Sequence, residues 1–130
     1  MKEMQIGAKL SLSAAVTPDK LASTMKSGEL PVFATPAMAA LMEETAAALL
    51  KPFLDEGETS VGTALNLAHL AATPEGLTVT AEAEITAVDR RKVSFRVIVR
   101  DPAEEIGRAD HDRFVVNAEK FLEKANRKKG

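Results

Sequence analysis

The chain has 130 residues, of which 45% are hydrophobic and 28% are charged. This length and this composition fit a globular protein with one core, so we expect a single domain over residues 1–130. Lys and Arg total 17 against 19 Asp and Glu, so the chain lacks the concentrated basic excess of a nucleic-acid-binding surface. Cysteine is absent, which excludes disulfides and thiol chemistry.

The N-terminal sequence has no apolar stretch of the kind that marks a signal peptide. We therefore expect a cytoplasmic protein that binds no membrane. No group of His, Asp and Glu residues has metal-ligand spacing, and no glycine-rich phosphate loop is present. The sequence predicts chemistry that needs water but no metal and no cofactor.

The first part of the chain predicts a strand, a turn and a loop. Residues 6–16 alternate apolar side chains with serines, which indicates a strand. Residues 17–19, Thr-Pro-Asp, favour a turn or the start of a short helix. Residues 23–30 are polar and contain Gly28, so they predict a loop that leads into the next element.

A long apolar helix is predicted from Pro36 to Leu50. Pro36 suits the first helical position, and Thr35, directly before it, is expected to cap the helix. Apolar residues occupy every side, which predicts a helix buried all round, and its 15 residues are too few to span a bilayer. Two carboxylates, Glu43 and Glu44, interrupt it, and a buried charge there would need a partner.

Four strands follow the helix, separated by short turns. Residues 61–70 are expected to be extended, with one face formed by Val61, Thr63, Leu65, Leu67 and His69. Strands are also predicted over residues 77–88, 93–100 and about 105–116. Asn117 is expected to cap a C-terminal helix.

The order is therefore strand, long helix and four strands. Short connections favour an antiparallel meander, and a sheet with one buried face needs a cover, which the apolar helix can provide. We predict an α+β fold in which an antiparallel sheet wraps around one long central helix.

Three segments carry a resemblance to a known family: FATPAMAALMEETA, EGETSVGTALNLAHLAATPEG and HDRFVV. Together they resemble the hot-dog-fold thioesterases, in the subfamily that includes fluoroacetyl-CoA thioesterase. The resemblance covers roughly residues 30–120, and the three motifs in order are more specific than any one alone. It implies the hot-dog fold, hydrolysis of an acyl-CoA thioester, and a homodimer with its pocket at or near the subunit interface.

The resemblance places a threonine-glutamate-histidine active site on Thr35, Glu43 and His69, which we assign as the catalytic residues. Glu43 would attack the thioester carbonyl or activate the water that does, and the sequence leaves both roles open. His69 would act as general acid and base or orient the nucleophile. Thr35, at the start of a helix, would hydrogen-bond the carboxylate or the substrate.

The same resemblance assigns three residues to substrate binding: Gly62, Arg113 and Phe33. Phe33 is the only aromatic residue in the region before the helix, where the fluoroacetate-specific member closes its pocket with aromatic side chains. Because of this departure we expect a generic small acyl-CoA as substrate. His111, the second histidine, is predicted to be an exposed strand residue.

Other interpretations stay open at this point. The pocket could bind an acyl-CoA or another small ligand without turnover, or it could hydrate or dehydrate an acyl thioester. Taken singly, Glu43 could be a surface residue, and His69 could be a satisfied core histidine. Convergence of the three catalytic residues within hydrogen-bond reach would distinguish catalysis from binding.

Overall fold

A computed structural model describes all residues, 1–130. It contains five strands and three α-helices, with short 3₁₀ turns at residues 18–20, 51–53 and 127–129. In chain order the elements are β1 (Lys9–Ala15), α1 (Ala22–Met25), α2 (Thr35–Leu50), β2 (Glu58–His69), β3 (Thr78–Asp89), β4 (Lys92–Arg100), β5 (Glu105–Asn117) and α3 (Ala118–Asn126). None of the helices combines the length and the hydropathy that crossing a membrane requires.

The strands form one antiparallel sheet in the order β1-β3-β4-β5-β2. The predicted α+β architecture is confirmed, and β3, β4 and β5 form the expected meander. The meander is wrong for β2, which pairs with β5 and not with β3. After β2, which is one edge of the sheet, the chain therefore crosses over to β3, which lies next to β1 at the other edge. The second edge of β2 has no neighbouring strand.

The core lies between α2 and one face of the sheet. On β3 from Val79 to Ile85, and along all of β4, every second residue is buried, as the alternating pattern predicts. On β3 the alternation ends at a register shift between Ile85 and Ala87. The helix contributes seven buried residues, which are Met38, Leu41, Met42, Thr45, Ala46, Leu49 and Leu50. Full burial of each large apolar side chain stabilises the fold by about 1.5–3 kcal/mol, so this face of α2 holds the helix on the sheet.

Two predictions about α2 are wrong. The helix begins at Thr35, and its N-cap is Ala34, which has no side-chain capping bond; the Thr35 hydroxyl bonds to another element. The helix is also not buried all round, because Pro36, Glu43 and Glu44 lie on a side that is exposed in the single chain. Small alanines between them leave this side open.

A β-bulge at Thr63 changes the predicted faces of β2. The register with β5 shifts between Gly62 and Ala64, so no residue of β5 lies opposite Thr63 in the strand pairing. The extra residue reverses the alternation: Val61 points to the opposite face from His69, and their predicted common face is wrong. The bulge instead places Gly62 and His69 on the same inward side of the sheet.

The connecting regions agree with the sequence except at one point. The segment predicted as a loop begins inside α1 (Ala22–Met25), whose C-cap Lys26 adopts a left-handed conformation. The Asn117 cap is confirmed, since its side chain accepts a hydrogen bond of 3.0 Å from the Lys120 backbone N–H.

Candidate active site

Thr35 and His69 are brought together at one end of the helix. Thr35 lies in the first turn of α2 and His69 ends β2, and 2.8 Å separate Thr35 Oγ1 from His69 Nδ1. The other ring nitrogen, Nε2, is buried and has no hydrogen-bond partner in the chain. The buried ring of Phe33 meets the imidazole edge-on, with centroids 6.5 Å apart. The threonine therefore orients the imidazole and leaves one nitrogen for a ligand.

A cleft of about 380 Å³ opens beside this pair, with Phe33 and Ala71 among its walls. Burial lowers the pKa of His69 below its ordinary value. The nearby backbone of Ala71 opposes part of this shift, although it forms no hydrogen bond with Nε2. The imidazole is therefore neutral at pH 7 and can accept a proton.

Glu43 lies farther along α2, against the bulge of β2. Its carboxylate is 47% exposed in the single chain, and its Oε2 lies 3.8 Å from the Arg113 guanidinium. A Cβ on Gly62 would come within 2.7 Å of the same oxygen, which is closer than real contacts allow. A side chain at position 62 would therefore displace the carboxylate, which occupies the space that the missing Cβ leaves open.

Arg113 projects from β5 beneath Gly62 and is almost fully buried. Its Nε donates to the Ser60 hydroxyl over 2.9 Å, and its NH2 donates to the Ser60 carbonyl over 3.2 Å. Burial lowers the pKa of the guanidinium, and the nearby Glu43 carboxylate opposes that shift. An arginine nonetheless stays charged in a protein, so Glu43 faces a fixed cation.

His111 is not the exposed residue that the sequence predicted: it is 2% exposed. β5 lies between β4 and β2, and its odd-numbered residues from 107 to 115 point inward. The imidazole contacts Ala64 and Arg113, and it packs on Phe95 with ring centroids 6.0 Å apart. The alternation of Ala109, His111, Arg113 and Val115 was the signal that could have identified this buried histidine.

The three predicted catalytic residues form two separate groups in one chain. Thr35 and Glu43 are eight residues apart on α2, about 12 Å along the helix axis. Gly62 and His69 are likewise separated by about 20 Å of strand. No hydrogen bond joins Glu43 to Thr35 or His69. The single chain therefore pairs Thr35 with His69, and Glu43 with Gly62 and Arg113. No group of three or more His, Asp or Glu residues is placed to hold a metal ion.

Comparison with known proteins gives one consistent family. The family described as fluoroacetyl-CoA-specific thioesterase matches residues 16–119. A fluoroacetyl-CoA thioesterase of Streptantibioticus cattleyicolor is 40% identical over 131 residues, and the match covers 96% of this chain and 94% of that relative.

Solved structures agree with this comparison. The fluoroacetyl-CoA thioesterase superposes with a TM-score of 0.92 at 39% identity, covering 98% of both chains. A threonine-to-serine variant of that enzyme in complex with acetyl-CoA gives 0.93 at 37% identity over 98% of this chain and all of the other. A thioesterase superfamily member from Thermus thermophilus gives 0.92 at 26% identity, covering 99% of this chain and 96% of that one.

Proposed function

We propose that this protein uses water to cleave a small acyl-CoA to the free acid and CoA. The chain belongs to the fluoroacetyl-CoA-specific thioesterase family and is therefore a thioester hydrolase. The observation that carries this proposal is the Thr35–His69 pair, whose free Nε2 is buried beside an open cleft. A neutral imidazole placed in this way can take a proton from water or return it to the thiolate that leaves.

Thr35 has two roles in this proposal. Its hydroxyl keeps His69 oriented through the 2.8 Å contact. It also lies in the first turn of α2, where free backbone N–H groups and the positive end of the helix dipole stabilise a negative charge. A thioester carbonyl bound here would have its developing oxyanion stabilised by those groups.

Glu43 supplies the carboxylate. It attacks the thioester carbonyl or activates the water that does so, and both routes need an ionised side chain held in place. Arg113 holds the carboxylate in place, because its positive charge lies 3.8 Å from Oε2. Gly62 gives the carboxylate and an acyl group room at the strand.

A homodimer would bring the Thr35–His69 pair and the Glu43 group together in one active site. The free edge of β2 adjoins one flank of the open side of α2, where Ala47 and Ser60 line the same cleft and Glu43 meets Gly62. This combined surface suits a second copy of the chain. A two-fold axis across this edge runs the two β2 strands antiparallel. The Thr35–His69 end of one subunit would then approach Glu43 of the other. We therefore place each site between two subunits.

The cleft and its walls favour a small acyl group. Phe33 is the only aromatic residue in the segment that leads into α2, and it is already packed on His69. A fluorinated substrate is not assigned on this basis. The absence of cysteine is compatible with the reducing cytoplasm as the location of the enzyme.

Release of free thiol from a panel of acyl-CoA substrates tests the proposal. The panel runs from acetyl-CoA to medium-chain and aryl acyl-CoA, and wild type is compared with Glu43→Gln. We expect turnover of a short-chain member by wild type and a loss of at least about a hundredfold in the variant. Binding of acyl-CoA without turnover by wild type would contradict hydrolysis and support the non-catalytic alternative. Addition of water to an enoyl-CoA included in the panel, without release of thiol, would support hydration instead.

A further inference from the structure

Two buried polar side chains, His111 and Arg113, lie under Gly62. A Cβ on that glycine would come within 3.3 Å of His111 Cε1 and 3.4 Å of Arg113 NH1. Arg113 reaches Glu43, whereas His111 is 2% exposed and lies too deep to meet a substrate. The proposed chemistry uses Arg113 but leaves the histidine without a role.

The neighbours of His111 determine its protonation. The Ala64 carbonyl can only accept a hydrogen bond, so the Nδ1 of His111, at 2.8 Å, donates to it. A guanidinium can only donate, so Nε2 accepts from Arg113 NH1 over 3.3 Å. Both ring nitrogens are satisfied by one tautomer of the neutral imidazole.

His111 binds the arginine nitrogen that faces the catalytic carboxylate. Ser60 accepts from the other two nitrogens of the guanidinium, and NH1 is left between His111 and Glu43. Without the acceptor on His111, a buried N–H would be unsatisfied, which is costly. The guanidinium would then shift toward the next acceptor, the Glu43 carboxylate, and change the position of that group.

The imidazole cannot follow such a shift. Phe95 packs on one face of the ring, and the backbone of Gly62 closes the space above Cε1. The bond to Ala64 also ties the ring to the bulge of β2. His111 is therefore a rigid acceptor at a fixed place.

We infer that His111 is a positioning residue for the reaction, whose Nε2 fixes the guanidinium of Arg113 and, through it, the carboxylate of Glu43. This inference rests on the proposed function, because it gives Glu43 the role described there.

Two substitutions of similar size separate this role from packing. In His111→Gln the side-chain oxygen reaches the position of Nε2 and can accept from Arg113. In His111→Asn the amide N–H occupies the position of Nδ1 and keeps the bond to Ala64, but no acceptor reaches Arg113. With a hydrolysed acyl-CoA, we expect His111→Asn to lower kcat about tenfold or more with KM changed less than about threefold. We expect His111→Gln to keep kcat within about threefold of wild type.

A second measurement does not depend on turnover. The Nε–H proton of Arg113, assigned with Arg113→Lys, exchanges slowly with water when the guanidinium is held, and NMR measures the rate. Exchange should be about tenfold faster or more in His111→Asn and unchanged in His111→Gln. Circular dichroism and thermal unfolding serve as the control that both variants are folded.

The outcomes distinguish the two proposals. Wild-type kcat in folded His111→Asn, or an equal loss of kcat in both variants, would overturn the positioning role. If wild type turns over no substrate, the proposed function fails. The exchange rate of the Arg113 Nε–H then tests, independently of turnover, whether His111 holds the guanidinium. Equal exchange rates in wild type and His111→Asn would show that it does not.

Discussion

Thr35 Oγ1 and His69 Nδ1 lie 2.8 Å apart although 34 residues separate them in the sequence. The helix start and the strand end meet only because β2 pairs with β5 and passes under the first turn of α2. The Thr35 hydroxyl therefore does not cap the helix but orients the imidazole of His69. It leaves Nε2 as the one buried side-chain polar atom without a partner.

Loss of the Thr35 hydroxyl should lower activity without unfolding the protein. Thr35→Val keeps the side-chain shape but removes the bond to His69, so we expect kcat/KM to fall about tenfold or more. Thr35→Ser keeps the hydroxyl and should stay within about threefold of wild type. Steady-state hydrolysis of the same acyl-CoA measures both. Equal activity in the two variants would show that the hydroxyl does not orient the histidine.

A side chain at Gly62 should displace the Glu43 carboxylate. The Cβ in Gly62→Ala would lie 2.7 Å from Oε2, so the carboxylate must move, and we expect kcat to fall at least about tenfold. Gly28→Ala is the matched control, because its Cβ would meet only Ala22 at an ordinary 3.4 Å. It should leave kcat unchanged. Wild-type kcat in folded Gly62→Ala would contradict the placement of the carboxylate.

The two histidines should make the free energy of unfolding depend on pH. Burial lowers the pKa of both below the ordinary 6.5. Below about pH 6.5 the unfolded chain therefore binds more protons than the folded one. The free energy of unfolding is expected to be highest above pH 6.5 and to fall as the pH drops through the folded-state pKa values.

Urea unfolding between pH 7.5 and pH 5 measures this dependence. In the same window the carboxylates contribute little, since the ordinary value for a glutamate is 4.5 and Glu58 is lowered to a pKa of about 2. His111→Gln removes one of the two titrating groups, so its pH dependence should be weaker than that of wild type. Equal pH dependence in the two proteins would contradict the neutral, buried state of His111.

Much of the fold could be predicted from local patterns. The spacing of apolar residues identified α2, β3 and β4. A sheet with one buried face needs a cover, and the apolar helix that could provide it predicted the architecture. The pairing of β2 could not be predicted, because the short turn after it looked like a hairpin. The bulge at Thr63 had one local signal, Gly62, because a glycine inside a strand often marks a bulge. A close approach to a ligand accounts for such a glycine equally well, so the reversal of the strand's faces could not be predicted from it.

The site was predicted by motif more than by pattern. The sequence named Thr35 and His69, and the structure brings them together. Helix spacing alone separates Glu43 from Thr35 by about 12 Å. The sequence could not show which of the two residues His69 would reach, because that depends on the pairing of β2 with β5. His111 was missed because a polar residue in a strand was assigned to the surface, although its alternation with Ala109 and Val115 placed it inside.

The most direct test of the account mixes two inactive proteins, Glu43→Gln and His69→Gln. Each is expected to be inactive alone, and wild type is measured beside them on the same acyl-CoA. If each site takes Thr35 and His69 from one subunit and Glu43 from the other, subunits exchanged to equilibrium contain heterodimers with one intact site. We predict recovery of about a quarter of wild-type activity, at twice the 13.9 kDa mass of one chain by light scattering. A mixture that exchanges subunits but stays inactive, or an active wild type that is monomeric, would contradict the shared site.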